Sequence, residues 1–350
     1  MLYKFSAMKG LQATGEYFVC MVPLGVLSKI FIDNTSDVLP EFRAQRRLNE
    51  SRIPDISNYI LNNRDSYVFS ALAASVDGNI QFVSFEGTNI GEIEIDMNAN
   101  FLINDGQHRK AAIINAIEQD PSLKDETIAI VLYRDKGLAR SQQMFADLNK
   151  HAVNASKSLN TLYEFNEPIA LLTKQVVDQI PFFRKYTDKE KDNLGKFSSN
   201  FFTLNTLYDA NRRILKTLPV EEDARQFVLS FWENVALHMR EWNEMDNGEL
   251  SKKALRENYI SSQGVTIHAL GRLGHYIFTN GRYDLHSCLT GLSNIDWTRS
   301  NLDSWKERAI TNSGRINRNE KGIFLTYVQI KRLLGMKIEK SELAREKEQL

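Results

Sequence analysis

The sequence predicts an α+β protein in which a mixed sheet with helices is followed by a mainly α-helical C-terminal domain. Runs of β-branched and aromatic residues, separated by short turns, dominate the first half of the chain. After about residue 166, apolar residues recur instead at helical spacing. A chain of 350 residues also exceeds what one small core needs. We therefore expect two domains, residues 1–165 and 166–350.

The composition limits the classes of function. Lysine and arginine number 44, as do aspartate and glutamate, so the net charge is zero and any DNA contact must come from a local patch. Cys20 and Cys288 lack metal-ligand spacing, so neither a zinc site nor a disulfide framework is indicated. No apolar run approaches the ~20 residues that span a bilayer, and no signal-peptide pattern is present. We expect a cytoplasmic protein with no metal site of its own.

The first predicted strand covers residues 17–22, which are rich in aromatic and β-branched side chains and are followed by Pro23. A short helix is expected over residues 24–32. Ser51 is the expected N-cap of the next helix, whose apolar residues form one face and which ends near Asn62.

Further strands are predicted before residue 104. Residues 67–76 and 80–85 flank an Asp-Gly-Asn turn, which favours an antiparallel hairpin. Residues 91–97 alternate strictly, so their glutamates should face water and their isoleucines the core. Residues 101–103 form a short apolar strand that leads directly into Asp105.

The remaining pattern is mostly helical. A buried helical stripe is expected over residues 112–117, a strand over 127–133, and then a helix in which Phe145 and Leu148 face inward. In the second half, residues 250–278 could form an αα-hairpin or a helix-turn-helix. The last fourteen residues carry mixed charge and few core positions, so we expect them to fray.

One short motif carries chemistry, namely Asp105-Gly106-Gln107-His108-Arg109 at the predicted strand-to-helix junction. The glycine lets backbone approach a ligand, and the first helical turn presents unpaired N–H groups that suit phosphate. The histidine can donate or carry a proton, the arginine offers a charged planar fork, and the glutamine donates and accepts. The aspartate could cap the helix, orient the histidine or hold a metal. The alternative is an ordinary capped helix with a solvated first turn.

These five residues spell the DGQHR signature, and the chain resembles the DndB family of DNA-associated regulators in phosphorothioate DNA-modification systems. The resemblance runs from Gly15 to about Tyr163. It includes the Gln45-Arg46-Arg47 stretch before an Arg52-Ile53 helix, and residues 145–153 after the motif. It implies a DNA-binding transcriptional regulator that is accessory to DNA sulfur modification, with DNA and other modification proteins as partners.

Proteins with this motif are similar to the ParB and sulfiredoxin superfamily, which implies a ParB/sulfiredoxin-like N-terminal domain. There a comparable turn binds nucleotide phosphates, which implies a nucleotide site at Gly106, Gln107, His108 and Arg109. Sulfiredoxins place a reactive cysteine where this chain has Gln107, so their thiol chemistry is not implied. Related defence proteins are linked to nucleotide hydrolysis. This link implies an alternative in which the chain is a nucleotide phosphohydrolase. In that alternative, Asp105 and His108 are the candidate catalytic residues, and a nucleoside triphosphate with Mg²⁺ is the candidate ligand.

Two further groups of residues are candidates. Asn149 and His151 lie at the end of the helix after the motif, where their ordinary role is capping, but the resemblance implies that they complete the nucleotide pocket. Basic residues near the motif would give salt-dependent DNA binding, although a solvated basic face is the alternative. The candidate DNA-binding residues are Arg43, Arg46, Arg47, Arg52, Lys150 and Lys157.

Overall fold

The computed structural model describes residues 1–13, 15–31, 48–135, 137–150, 155–195 and 197–350. The chain divides into two compact units, Met1–Val153 and Asn154–Leu350. An N-terminal mixed sheet and a helical C-terminal region confirm the predicted α+β class. The domain boundary at residue 165 stays a prediction.

The first unit is built on a seven-stranded sheet with the order β4-β5-β1-β2-β7-β3-β6. Neighbouring strands are antiparallel except β3 and β7, which run parallel. The strands are β1 (Leu2–Gln12), β2 (Gly15–Pro23), β3 (Leu72–Asp77), β4 (Ile80–Ser84), β5 (Ile90–Asp96), β6 (Asn100–Asp105) and β7 (Thr127–Arg134).

The alternation predicted for β5 is confirmed, because Ile93 and Ile95 are fully buried while Glu92 and Glu94, which alternate with them, are partly exposed. The predicted hairpin is wrong: β3 pairs with β6 and β7, and β4 pairs with β5. A tight type I′ hairpin needs positive φ at both central residues. Gly78 has φ +150° but Asn79 is not in the positive-φ region, so this turn redirects the chain instead of closing a ladder.

Four α-helices lie in the described residues of the first unit. They are α1 (Leu27–Ile30), α2 (Ile53–Asn62), α3 (Gln107–Gln119) and α4 (Leu138–Lys150). Helices α2 and α3 pack together, and Ser57 Oγ donates to Asn115 Oδ1 at 2.8 Å. Two local expectations are corrected. The N-cap of α2 is Arg52, which makes no side-chain capping bond, and Asn49 caps the preceding 3₁₀ turn Glu50–Arg52 by accepting from the Ser51 amide at 3.2 Å. Leu148 is 42% exposed and does not face inward, and the side chain of Phe145 lies outside the described residues.

The second unit is helical apart from the short parallel pair β8 (Thr187–Asp188) and β9 (Phe202–Thr203). Its core surrounds α12, which packs against α8 and α15. The described helices are α5 (Lys157–Tyr163), α6 (Pro168–Gln179), α7 (Pro181–Tyr186), α8 (Leu204–Leu215), α9 (Glu222–His238), α10 (Arg240–Asp246), α11 (Lys252–Asn258), α12 (Gly264–Asn280), α13 (Leu285–Leu289), α14 (Leu302–Trp305), α15 (Glu320–Leu333) and α16 (Lys340–Gln349).

Two expectations for this unit are wrong. A DNA-reading helix must be exposed, but α12 is central and Thr266 on it is fully buried, which removes the helix-turn-helix interpretation. The C-terminal residues form the helix α16, which begins with a capping box between Glu339 and Glu342. Glu346 also pairs with two arginines of the unit. No helix in the described ranges is long and apolar enough to cross a membrane.

Candidate functional site

The predicted motif lies at a strand-to-helix junction, as the sequence indicated. Strand β6 ends at Asp105, Gly106 has φ +97° and ψ +17°, and α3 begins at Gln107. A Cβ at Gly106 would lie 2.4 Å from Leu72 Cδ2, at the start of β3. Only glycine therefore combines this backbone conformation with this close approach. We call residues 105–109 the DGQHR turn.

The carboxylate of Asp105 does not cap the helix. Gly106 holds the N-cap position, where no side chain can accept from the first amides. Asp105 Oδ2 accepts instead from Arg109 Nη2 at 2.7 Å, one helical turn later. The first turn of α3 contains no acidic residue, so the partial positive charge of the helix end is not offset within the helix.

The guanidinium of Arg109 is held by hydrogen bonds to other residues of the first unit. Its Nη1 donates to the backbone oxygens of Ser70 at 2.6 Å and Ala71 at 2.9 Å, and also to the Ser70 hydroxyl. With the Asp105 bond, the guanidinium ties the DGQHR turn to the segment that leads into β3, and the side chain is 18% exposed. The geometry gives Arg109 a positioning role, and phosphate binding by its guanidinium stays a prediction.

His108 joins the turn to a distant part of the sequence. Its Nε2 accepts a hydrogen bond from the backbone N–H of Asn49 at 3.0 Å. A ring nitrogen that accepts cannot carry a proton, so this bond requires the neutral imidazole with its proton on Nδ1. Asn49 follows Arg47 by two residues. In the sequence, Asn49 therefore closely follows the arginine-rich stretch, whose own residues lie outside those that the structure describes.

Two buried polar features beside the turn were not predicted. Lys110 is 3% exposed, with Nζ 3.5 Å from the Phe31 carbonyl oxygen. Its position three residues before buried Ile113 places it on the apolar face of α3, and that spacing was the available signal. Asn104, which precedes the turn, is also buried and accepts from Ser75 Oγ at 2.8 Å. A polar residue inside an apolar strand was the signal there.

The other predicted residues are only partly described. Gln107 is half-buried at the start of α3, and Arg52 is exposed at the end of a short 3₁₀ turn, Glu50–Arg52. Lys157 is exposed at the start of α5, in the second unit. Arg43, Arg46, Arg47 and His151 lie outside the described residues, as do the side chains of Asn149 and Lys150.

Helix α4 supports one part of the prediction, because it packs against β6, the strand that ends in the DGQHR turn. Its last residues, Asn149 and Lys150, therefore belong to an element that contacts the strand leading to the turn. Whether their side chains reach the turn stays a prediction.

The described residues support neither a metal site nor a reactive thiol. In the described ranges, no group of three or more His, Cys, Asp or Glu side chains could hold a metal ion. The aspartate of the turn is already paired with Arg109, so Mg²⁺ binding stays a prediction. Burial raises the pKa of Cys20 to about 12 and that of Cys288 to about 11, which disfavours reactive thiolates.

The comparisons with known proteins agree with the motif. A family model described as DndB, DNA-sulfur modification-associated, matches residues 5–337 and so covers nearly the whole chain. The family resemblance drawn from the DGQHR residues is confirmed. Neither the curated proteins nor the solved structures gave a match.

Proposed function

Because the chain belongs to the DndB family of DNA-sulfur modification-associated proteins, we propose that it is a DNA-binding transcriptional regulator accessory to phosphorothioate modification. Family membership associates the chain with DNA sulfur modification. DNA binding and regulation rest, in this proposal, on the DGQHR turn and on the basic residues that precede Asn49 in the sequence. The observation that carries the proposal is the hydrogen bond between His108 and Asn49, because it attaches the DGQHR turn to a residue that follows Arg47 by two positions in the sequence.

The amide end of α3 is suited to a phosphate group. The helix has thirteen residues and no acidic residue in its first turn, so its N-terminus keeps its partial positive charge. Arg109 holds the turn against Ser70 and Ala71, which fixes the direction of the first amides. In this proposal the backbone binds the phosphate, and the Arg109 side chain positions the backbone.

The arginines supply the non-specific part of the affinity. Arg52 is exposed three residues after Asn49, and Arg43, Arg46 and Arg47 precede Asn49 by two to six residues. Each arginine that neutralises a DNA phosphate contributes about −0.9 to the slope of log K against log salt. Three such contacts would contribute about −2.7.

A salt titration of DNA binding tests this proposal. Fluorescence anisotropy would compare a promoter duplex from the protein's own operon with a scrambled duplex. We expect tighter binding to the promoter, and a slope reduced by about 2.7 in the Arg43→Gln/Arg46→Gln/Arg47→Gln variant. Promoter affinity no better than that for scrambled DNA would reject a specific regulator.

A control variant that loses the same number of charges separates phosphate contacts from a general effect of net charge. The triple variant Arg282→Gln, Arg315→Gln and Arg318→Gln removes three exposed arginines of the second unit. It should leave the salt slope within about 0.5 of the wild-type value, since the proposal gives these residues no phosphate contact. An equal change of slope in both triple variants would show only a general effect of net charge.

The second candidate is a nucleotide phosphohydrolase that uses the same turn. It is favoured by the half-buried imidazole of His108 in the first turn of α3, where it could stabilise phosphate charge. It ranks second because Asp105, the other candidate catalytic residue, is paired with Arg109. Phosphate release from ATP, GTP and CTP by wild type and His108→Ala would test it. Equal release by the two proteins would show that the turn is not the catalyst.

Other DNA sulfur-modification proteins are the proposed protein partners. A pull-down by the full chain, with and without nuclease treatment, would test this. Capture that persists after DNA removal would favour an assembly role in addition to regulation, and capture that disappears would favour DNA as the bridge.

A further inference from the structure

A cavity of about 330 Å³ opens in the helical unit, apart from the DGQHR turn. Its walls come from the residue after α8 and from helices α12, α15 and α16. Four separate elements therefore converge on one concavity. Its volume lies at the lower end of the range for small-molecule sites, roughly 300–1,000 Å³.

The wall of this cavity is rich in positive charge. Lys216, Arg272 and Arg345 line it, and Glu342 is its one acidic lining residue. Glu342 is already occupied, because it accepts from Lys331 Nζ at 2.7 Å and from the Tyr327 hydroxyl at 2.6 Å. The Lys331 side chain is completely buried, and its charge offsets that of Glu342, so Glu342 does not neutralise the basic residues of the cavity.

The three basic residues are poorly compensated. Arg272 Nη2 lies 3.2 Å from Glu320, but the same carboxylate also pairs with Arg213. Within the described part of the chain, neither Lys216 nor Arg345 has a carboxylate within ion-pair distance. The basic side chains that line the cavity therefore carry more positive charge than the carboxylates of the described residues neutralise.

Two features of the cavity wall are energetically unfavourable when no ligand is bound. Arg272 Nε is buried and has no hydrogen-bond partner in the described residues. Lys216 has φ +52° and ψ −109°, a conformation that non-glycine residues rarely adopt outside functional sites. Burial, and then the charge of Arg272, lower the pKa of Lys216. An anion in the cavity would relieve the repulsion between these two cations.

The guanidinium groups are also held in place. Arg345 Cζ lies 4.3 Å from the centre of the Phe324 ring, and Arg272 Cζ lies 5.9 Å from the same ring. Stacking on one aromatic ring restricts both planar groups, so less conformational entropy is lost when they bind a ligand.

We propose that this cavity binds a small molecule through its phosphate group, with Lys216, Arg272 and Arg345 as the phosphate ligands. Its concave shape and size fit a free phosphorylated metabolite such as a nucleotide, whereas a DNA duplex presents its phosphates on a convex surface. The site lies in a different unit from the DGQHR turn, so the proposal goes beyond the function given above and does not depend on it.

Isothermal titration calorimetry on the full chain tests the proposal. The probes are inorganic phosphate, pyrophosphate, AMP and ATP, in a buffer that contains no phosphate. We expect saturable binding of at least one probe, weakened about tenfold or more by Lys216→Ala and by Arg345→Ala, since each removes a charged phosphate contact. Both residues are exposed, so neither variant should unfold the unit. Binding of phosphate itself would identify the phosphate group as sufficient, and binding of AMP or ATP alone would identify a nucleotide.

Two controls separate this site from the other proposal. Lys253→Ala removes an exposed lysine of the same unit that does not line the cavity, and His108→Ala alters the DGQHR turn. Both should bind the probe as the wild type does. The proposal is overturned if no probe binds, or if binding is lost in His108→Ala and kept in Lys216→Ala and Arg345→Ala.

Discussion

Replacing Gly106 by alanine should destabilise the first unit by about 2–5 kcal/mol. A left-handed backbone costs an L-residue about 1–2 kcal/mol, and Gly106 has φ +97°. The new Cβ would also lie 2.4 Å from Leu72 Cδ2, well inside the optimal ~3.5–4.0 Å between carbon atoms. Overpacking of this kind costs a further 1–3 kcal/mol or so.

Gly137→Ala is the matched control. Gly137 has φ +95°, nearly the same conformation, but no atom of the described residues lies within 4 Å of its added Cβ. We therefore expect it to lose only the conformational contribution of about 1–2 kcal/mol. The difference between the two variants measures the contact with Leu72.

Hydrogen exchange of peptides from β7 is the appropriate assay, because this interior strand reports cooperative opening of the first unit. Tryptophan fluorescence cannot replace it, since all four tryptophans follow residue 153. If Gly106→Ala and Gly137→Ala lower the free energy of opening equally, the close approach of the turn to Leu72 is refuted.

Three other predictions follow from buried charges. Arg109→Lys should destabilise the first unit by about 2–4 kcal/mol in the same exchange assay, because one ammonium group cannot replace the bonds to Ser70, Ala71 and Asp105; an unchanged free energy would contradict this. Glu342→Gln should cost about 3–5 kcal/mol in urea unfolding followed by tryptophan fluorescence, because it leaves buried Lys331 without its partner, and a loss below about 1 kcal/mol would be inconsistent with that pair. Burial raises the pKa of Glu241 from its ordinary 4.5 to about 7. The native state then binds more protons than the unfolded state between these values, so stability falls as the pH rises through this window, by at most about 3.4 kcal/mol. Glu241→Gln should flatten this part of the stability profile, and a profile that is equally steep in the variant would show that another group causes it.

The elements that could be predicted are those whose pattern is local. Strand β5 alternates Glu and Ile residue by residue, so its two faces follow from the sequence alone. The pairing of β3 could not be predicted in this way, because its partners β6 and β7 lie tens of residues further along the chain. The Asp-Gly-Asn turn indicated a hairpin, and the long-range pairing prevailed.

The C-terminal helix α16 shows a second reason why part of the fold could not be predicted from the sequence. A mixed-charge segment looks like a solvated face in sequence, since its possible ion-pair partners are not adjacent. In the structure Glu342 pairs with Lys331, and Glu346 pairs with Arg308 and Arg332. Charges that are distant in sequence thus order the end of the described chain.

In the candidate site, too, the local features could be predicted from the sequence and the long-range contacts could not. The position of the DGQHR turn followed from an apolar strand before it and an apolar helical stripe after it. The use of Arg109 could not be foreseen, because its acceptors on Ser70 and Ala71 are 39 and 38 residues away. The basic cavity was also missed, since its residues come from four separate elements.

The most direct test is amide exchange in the peptide that contains the DGQHR turn, measured with and without DNA. The first amides of a helix have no intrahelical acceptor, so a phosphate bound there should slow the exchange of Gln107, His108 and Arg109. We predict slower exchange with the promoter duplex and a smaller effect with a scrambled duplex. Unchanged exchange in this peptide at saturating promoter DNA would contradict the proposed role of the turn.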